Sequence, residues 1–536
     1  MTRDLGIAVV EITNIETYDT TLRDGEQGLG ITLSLEDKLR IVECLDHFGI
    51  DIIEGGYPTS NPKDIEFFKR VAQLPLTHAR IAAFGSTCHK GSLARNDAGL
   101  QALIESGAPV ITLVGKAHAS QVQHALRTSL EENLRMITDS ISFCVQEGRE
   151  VIFDAEHFFD GYDADPEYAL EVVRAAQEAG ASRVCLCETN GGQLPASVSA
   201  VTTAVHKAFP DLMLGIHCHN DSGCAVANTL DAVGAGARQV QGTINGYGER
   251  AGNADLLNVI ANLQLKMGYN CVPDLSQLSD VAHFVAESCN VTLPAQTPYT
   301  GKAAFAHKGG LHASAQARLE GAYEHVDPAL VGNTSSWVVS ELSGRASLVR
   351  KAESFGLSIE HDEALCQRIL DDIKQREAEG YAYEVADGSL YLLMLRHLGK
   401  LKSHFTLESF RVIVDDREDT GSWAKDATSE ATIKIRVGDV RTVATGEGTG
   451  PVEALDTALR MAIGESYPQV AAMELVDFKV RILDENVGTG AVTRVIITTS
   501  DGEGNWGTVG VSENIIEASW NALVDSIEYG LHRIGV

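Results

Sequence analysis

Two histidines stand two residues apart in the run LMLGIHCHND, at His217 and His219. If that run is a β-strand, alternate side chains share a face and both imidazoles point the same way. Such a pair is either satisfied by hydrogen bonds or part of a metal site. Asp24, in YDTTLRDGEQ, tips the reading toward metal, provided the fold brings it alongside. Two imidazoles and a carboxylate, with positions left for water or substrate, suit Mg²⁺, Mn²⁺, Zn²⁺ or Fe²⁺. Cys218 faces the other side of the same run, so a thiolate-rich zinc site is not indicated. Arg23 is either half of an internal ion pair or a fixed donor to an oxygen gaining negative charge. Glu156, in VIFDAEHF, is a general acid or base, or a support for its neighbours. Asn253 opens the helix-like NADLLNVIANL, where N-capping competes with metal ligation. Two glycine-rich turns, NGYGERAGN from Asn245 and GEGTGP from Gly446, read as a flexible turn and as a weak candidate for holding an anion.

These residues need a scaffold that gathers them. Eight β-rich runs begin at Glu16, Ile50, Ala79, Val110, Val151, Arg183, Leu212 and Gln239, recurring about every 30 residues with amphipathic stretches between them. Ser34 opens one such helix, which Gly49 closes; Asp165 and Pro166 open another, with Gly180 past its end. Eight β/α units predict a closed (β/α)8 TIM barrel, whose functional groups gather at the C-terminal ends of its strands. At those ends lie Arg23 and Asp24, Glu54, Glu156 and His157, Glu188 and Thr189, then His217 and His219. Closure of the barrel makes the first and seventh strands near neighbours across the eighth. The barrel is expected over residues 1–274 and a helical linker over 275–402. An α+β domain of two β-β-β-α halves, of the kind that senses or assembles, is expected over 403–536.

Composition removes other classes. The 536 residues carry a net charge of −31 and an isoelectric point near 4.9, which disfavours nucleic acid and anionic membranes as partners. It does not exclude an anionic small substrate held by a local cation. No apolar run is long enough to span a bilayer and the start lacks the pattern of a secretion signal, so a cytoplasmic location is expected. Ten cysteines without a C-x-x-C pair do not form a disulfide framework; Cys185 and Cys187 read as reduced thiols on a buried strand.

YDTTLRDGEQ, GIHCHNDSG and INGYGERAGNADL resemble the signatures of the Claisen-condensing barrel enzymes that include the 2-isopropylmalate, homocitrate and citramalate synthases. EGGYPTSNPKDIEFF and DAEHFFDGY are most similar to the citramalate branch. The resemblance implies a divalent ion, Mg²⁺ or Mn²⁺ before Zn²⁺, on Asp24, His217 and His219 with Asn253 as a fourth ligand. It assigns Arg23 to the oxygen of a 2-oxo acid, Thr189 to its carboxylate and Glu156 to the acid/base network. It also implies a histidine reaching a neighbouring subunit's site, best matched in AHKGGLHASA by His312, with His307 the competitor. Related citramalate synthases carry an acid two positions after that histidine, where this chain has Ser314. The implied reaction condenses acetyl-CoA with pyruvate and hydrolyses the thioester. Alternatives are 2-oxoisovalerate as acceptor, a CoA-thioester lyase, or a non-catalytic sensor with a dead barrel. Isoleucine as effector at the C-terminal domain and a homodimer complete the expectation.

Overall fold

The computed structural model describes residues 13–58, 62–308, 312, 315–316, 318–319, 321–341, 343–414, 429–483 and 491–536. Strands β1 (Glu16–Asp19), β2 (Ile52–Glu54), β3 (Arg80–Ser86), β4 (Val110–Lys116), β5 (Glu150–Glu156), β6 (Arg183–Glu188), β7 (Met213–Cys218) and β8 (Gln239–Gly242) form a closed parallel barrel in sequence order. Closure is the β1–β8 ladder, with Glu16 opposite Gln239 and Asp19 opposite Gly242. Since β7 also pairs with β8, β1 and β7 flank one strand, as the spacing required.

Helices α1 (Leu35–Phe48), α2 (Pro62–Val71), α3 (Ala98–Glu105), α4 (Leu130–Gln146), α5 (Pro166–Glu178), α6 (Pro195–Ala208), α7 (Ala225–Gly234) and α8 (Leu256–Leu265) follow the strands in turn. Their ends obey the sequence signals. Ser34 and Asp37 form a reciprocal capping box at the start of α1, and Gly49 ends it in the left-handed region. Asp165 caps α5 through the Tyr168 N–H, ahead of Pro166.

Alternation along each strand splits the core in two. Outward residues such as Ile53, Ile111, Leu113, Phe153, Leu186 and Ile216 pack on the helices, while Tyr18, Ile52, Ala82, Val110 and Ile152 cluster inside the barrel. The N-terminal mouth is held by a ring of charge: Glu16 accepts from Arg183 and from Arg80, and Glu150 accepts from both arginines. Structural ion pairing occupies that mouth and leaves chemistry to the other.

Two compact units divide the chain: Met1–Phe305 with Val326–Thr334, and Ala306–His325 with Ser335–Val536. The first unit also holds α9 (Leu278–Ser288). The second opens with a short parallel ladder between β9 (Ala306–His307) and β10 (Ser336–Trp337), followed by helices α10 (Arg345–Ser354), α11 (Glu363–Ala378) and α12 (Asp387–His397). Two repeats complete it. Antiparallel β11 (Thr406–Val414), β12 (Ser429–Val437) and β13 (Val440–Gly448) carry α13 (Pro451–Ile463); β14 (Glu474–Ile482), β15 (Thr493–Ser500) and β16 (Asn505–Ser512) carry α14 (Ile515–Arg533). Ile433, Leu455, Ile497 and Leu523 lie in their shared core. The GEGTGP turn is not an open anion cradle, because Glu453 of the same helix accepts from the Thr449 N–H and hydroxyl.

Candidate active site

Arg23 and Asp24 lie just beyond a strand, not on one. β1 stops at Asp19, and the backbone folds so tightly that the Thr20 carbonyl accepts from the N–H groups of Arg23, Asp24 and Gly25 at 3.2, 2.8 and 3.1 Å. The turn lifts both side chains over the C-terminal mouth. It is braced by buried Asp19, whose carboxylate accepts from the Thr21 N–H and hydroxyl.

The Asp24 Oδ2 atom lies 3.2 Å from His217 Nε2 and 3.7 Å from His219 Nε2. Burial raises the Asp24 carboxyl, but the Arg23 guanidinium and the two imidazoles outweigh it and hold the group well below its ordinary range. His217 Nδ1 faces Gln241 Oε1 at 3.0 Å, which places a proton there and leaves Nε2 facing Asp24. The Gln241 amide is in turn oriented by donation to Asp154 Oδ1 at 3.1 Å. Burial pushes Asp154 up to about 7.

Asn253 does not cap the following helix; Asp255 does, accepting from the Leu257 N–H. Asn253 pairs instead with His219 in an isolated antiparallel bridge. Its Nδ2 donates to the Tyr247 carbonyl at 3.1 Å, while its buried Oδ1 has no partner. This unpaired acceptor sits on the segment bridged to His219 and is open to a cation. The NGYGERAGN turn wraps closely around this amide. Gly248 has φ +153°, and a Cβ there would stand 2.2 Å from Asn253 Nδ2.

One contact runs against this donor set. Arg250 donates to His219 Nδ1 at 2.7 Å and also clasps Asp221. That geometry places the His219 proton on Nε2, so ligation through Nε2 requires the Arg250 contact to give way. The other donors are poised without rearrangement, and the residues present fit a divalent cation.

Arg23 combines the two readings open to it. Its Nε donates to buried Glu54 at 2.6 Å and its guanidinium stacks on Phe84 at 3.9 Å, yet the side chain also lines a cavity of about 350 Å³ with Asp24, His217 and His219. Glu156 and Thr189 line the same cavity. Glu156 is ion-paired with Lys116, and Thr189 Oγ1 accepts from the His157 N–H at 2.8 Å, leaving its own proton to donate. His157 holds a left-handed backbone at φ 58°, a strain tolerated where the strand must turn sharply at the rim.

His312 and His307 belong to the other compact unit. His312 is exposed and stacked on Tyr323 at 4.1 Å. His307 is buried, bonded to Glu324 at 3.0 Å and packed on Trp337. Ser314 lies outside the described residues. Sequence reasoning missed Lys116 and passed over the roles of Glu54 and Gln241. Lys116 ends β4 and was open to the same strand-end test; Gln241 carried no signal, because a buried glutamine on a strand shows its role only through its partners.

The chain matches the HMGL-like family over residues 14–285, the homocitrate synthase post-HMGL domain-like family over 299–380, and the LeuA allosteric (dimerisation) domain over 384–531. It is 50% identical to an (R)-citramalate synthase of Aquifex aeolicus, covering 96% of this chain and 97% of that protein. Identity is 51% to the one from Streptomyces coelicolor, with 98% of each chain covered. The (R)-citramalate synthase of Synechocystis is 47% identical, with 97% of each covered.

Proposed function

Because the chain belongs to the citramalate synthase family of HMGL-like barrel enzymes, we propose that it condenses acetyl-CoA with pyruvate and hydrolyses the thioester to (R)-citramalate and CoA. What supports the reading is the placement of Asp24, His217 and His219 within reach of one ion, with Arg23 beside them, around a cavity of about 350 Å³ at the C-terminal rim. A divalent ion on Asp24, His217, His219 and Asn253 supplies Lewis-acid polarisation of the keto acid.

The chain's own residues do the rest. Arg23, fixed by Glu54 and Phe84 before substrate arrives, donates to the keto oxygen as it becomes an alkoxide, so no reorganisation is needed at the moment of bond formation. Thr189 donates its free hydroxyl proton to the substrate carboxylate. Phe84, held edge-on to Tyr57 with ring centroids 5.0 Å apart, walls the cavity. We assign the base for the acetyl methyl proton to His312, reaching from a neighbouring subunit as the family resemblance implies; His307 is already bonded to Glu324. Glu156, oriented by Lys116, relays that proton. The carbanion carbon bonds to the keto carbon, the alkoxide is protonated, and water cleaves the C–S bond to release the thiol.

The LeuA-type domain supports a dimer and a small-molecule effector, which we assign as isoleucine. The test is thiol release from acetyl-CoA with Mg²⁺ or Mn²⁺ across a panel of 2-oxo acids, with and without isoleucine and leucine. Release with pyruvate, suppressed by isoleucine, is expected. Release with 2-oxoisovalerate and none with pyruvate replaces the substrate assignment.

A further inference from the structure

Far from the rim in sequence, the second unit gathers His404, Glu528 and His532 so that one ligand atom from each lies within 4.8 Å of the others. Glu528 and His532 are one turn apart on α14, which puts both on one face. His404 enters from the segment just before β11. Both His404 and Glu528 are almost wholly withdrawn from solvent, with side chains 2% and 8% exposed.

The second nitrogen of each imidazole decides what the cluster can do. His532 Nε2 is buried and has no hydrogen-bond partner. The backbone of Lys402 is hydrogen-bonded to the same ring, which leaves Nδ1 as the donor and Nε2 as a bare lone pair. His404 repeats the pattern in mirror form. Its Nε2 lies 3.0 Å from the Val536 carbonyl oxygen, and its Nδ1 lies 2.6 Å from Glu528 Oε2. Each ring thus has one nitrogen tied to a main-chain oxygen; His404 Nδ1 bonds Glu528 directly, a contact a cation would have to displace, whereas His532 Nε2 stands free. An outer-sphere tie to the main chain fixes the tautomer of metal-ligating histidines. An ordinary histidine–glutamate bond explains His404 alone; it gives His532 Nε2 nothing to do.

We infer that His404, Glu528 and His532 form a second divalent-metal site, separate from the barrel donors and built for Zn²⁺. Two imidazole nitrogens and one carboxylate oxygen are a borderline-soft set that binds Zn²⁺, Co²⁺ or Ni²⁺ more tightly than Mg²⁺. The ion staples the entry of the C-terminal domain to its last helix, so its binding free energy adds to the stability of that domain.

The test is equilibrium dialysis against Zn²⁺ with elemental analysis. In full-length protein whose barrel donors are disabled by Asp24→Asn with His217→Ala, one Zn²⁺ per chain is expected, and adding His532→Gln weakens it on the order of 100-fold or more. In the otherwise wild-type chain, His532→Gln removes one bound Zn²⁺ while leaving thiol release with Mg²⁺ intact. Folding is controlled by thermal unfolding. With chelator present any midpoint difference between His532→Gln and wild type reports the lost Lys402 bond and ring packing, and Zn²⁺ raises only the wild-type midpoint above its chelated value. Equal zinc content with and without His532→Gln, or no zinc at micromolar free metal in the barrel-disabled chain, overturns the inference. Neither outcome depends on the reaction at the barrel.

Discussion

Replacing Glu54 with Gln should slow catalysis more than it unfolds the protein. Glu54 has no exposed surface, accepts from Arg23 Nε at 2.6 Å and from the Tyr18 hydroxyl at 2.7 Å, and touches nothing that reacts. The amide keeps the volume. Its oxygen can still serve Arg23, and its NH₂ can donate to Tyr18, whose own proton turns to Thr112 Oγ1 at 2.7 Å. Hydrogen bonds survive and only the charge is lost. A charge-assisted bond becomes a neutral one at a cost of ~1–2 kcal/mol. The guanidinium then leans on Asp24, already 3.5 Å away and needed for the cation. If that displacement removes half or more of the ~3 kcal/mol an oxyanion donor supplies, kcat falls ~10- to 100-fold. Glu54→Ala is the harsher control, stranding a buried cation at ~3–5 kcal/mol of stability. The assay is initial-rate thiol release with kcat and KM separated, alongside thermal unfolding. A Gln variant whose kcat stays within about twofold of wild type, while Arg23→Gln collapses, refutes the claim that Glu54 positions Arg23.

His217→Ala with His219→Ala should abolish thiol release and remove the dependence on added divalent metal; surviving activity would sink the cation mechanism. Lys116→Met leaves Glu156 without its ion pair and should lower kcat by ~10-fold with little change in the KM for pyruvate, read in the same assay. Ser34→Ala removes one half of the capping box and should cost ~1 kcal/mol in chemical unfolding with kinetics unchanged. Burial pushes Asp19 up to about 7. The folded chain therefore holds that proton more tightly than the unfolded one, and stability falls as pH rises from ~4 to 7. At ~1.4 kcal/mol per pH unit, Asp19→Asn should gain up to ~4 kcal/mol relative to wild type across that window, on top of a pH-independent loss from the Thr21 contacts. Parallel denaturation curves at pH 4.5 and 8 measure it, and an unchanged difference refutes it.

Legibility followed the range of the interaction. The eight strands and the α1 and α5 termini were readable because hydrophobic alternation and end-capping are local. His217 and His219 were readable as co-facing because strand geometry is local too. Asn253 was ambiguous from its neighbours, since an asparagine ahead of a helix serves equally as cap or ligand. The cap went to Asp255 two residues on, and only the bridge to His219 revealed why Asn253 was left free. Lys116 was overlooked although its position on a strand end was in plain view.

Sequence alone determined the repeat count, hence a closed barrel, and the rim on which its chemistry collects. It also determined the duplicated β-β-β-α domain, because period and spacing are properties of the chain. Tertiary structure decided which groups meet. It set Arg23 between Glu54 and Phe84, turned His217 by way of Gln241 and Asp154, and brought His404 against a helix that begins more than a hundred residues later. Those partnerships cross the fold, and no local pattern encodes the partner of a buried polar atom.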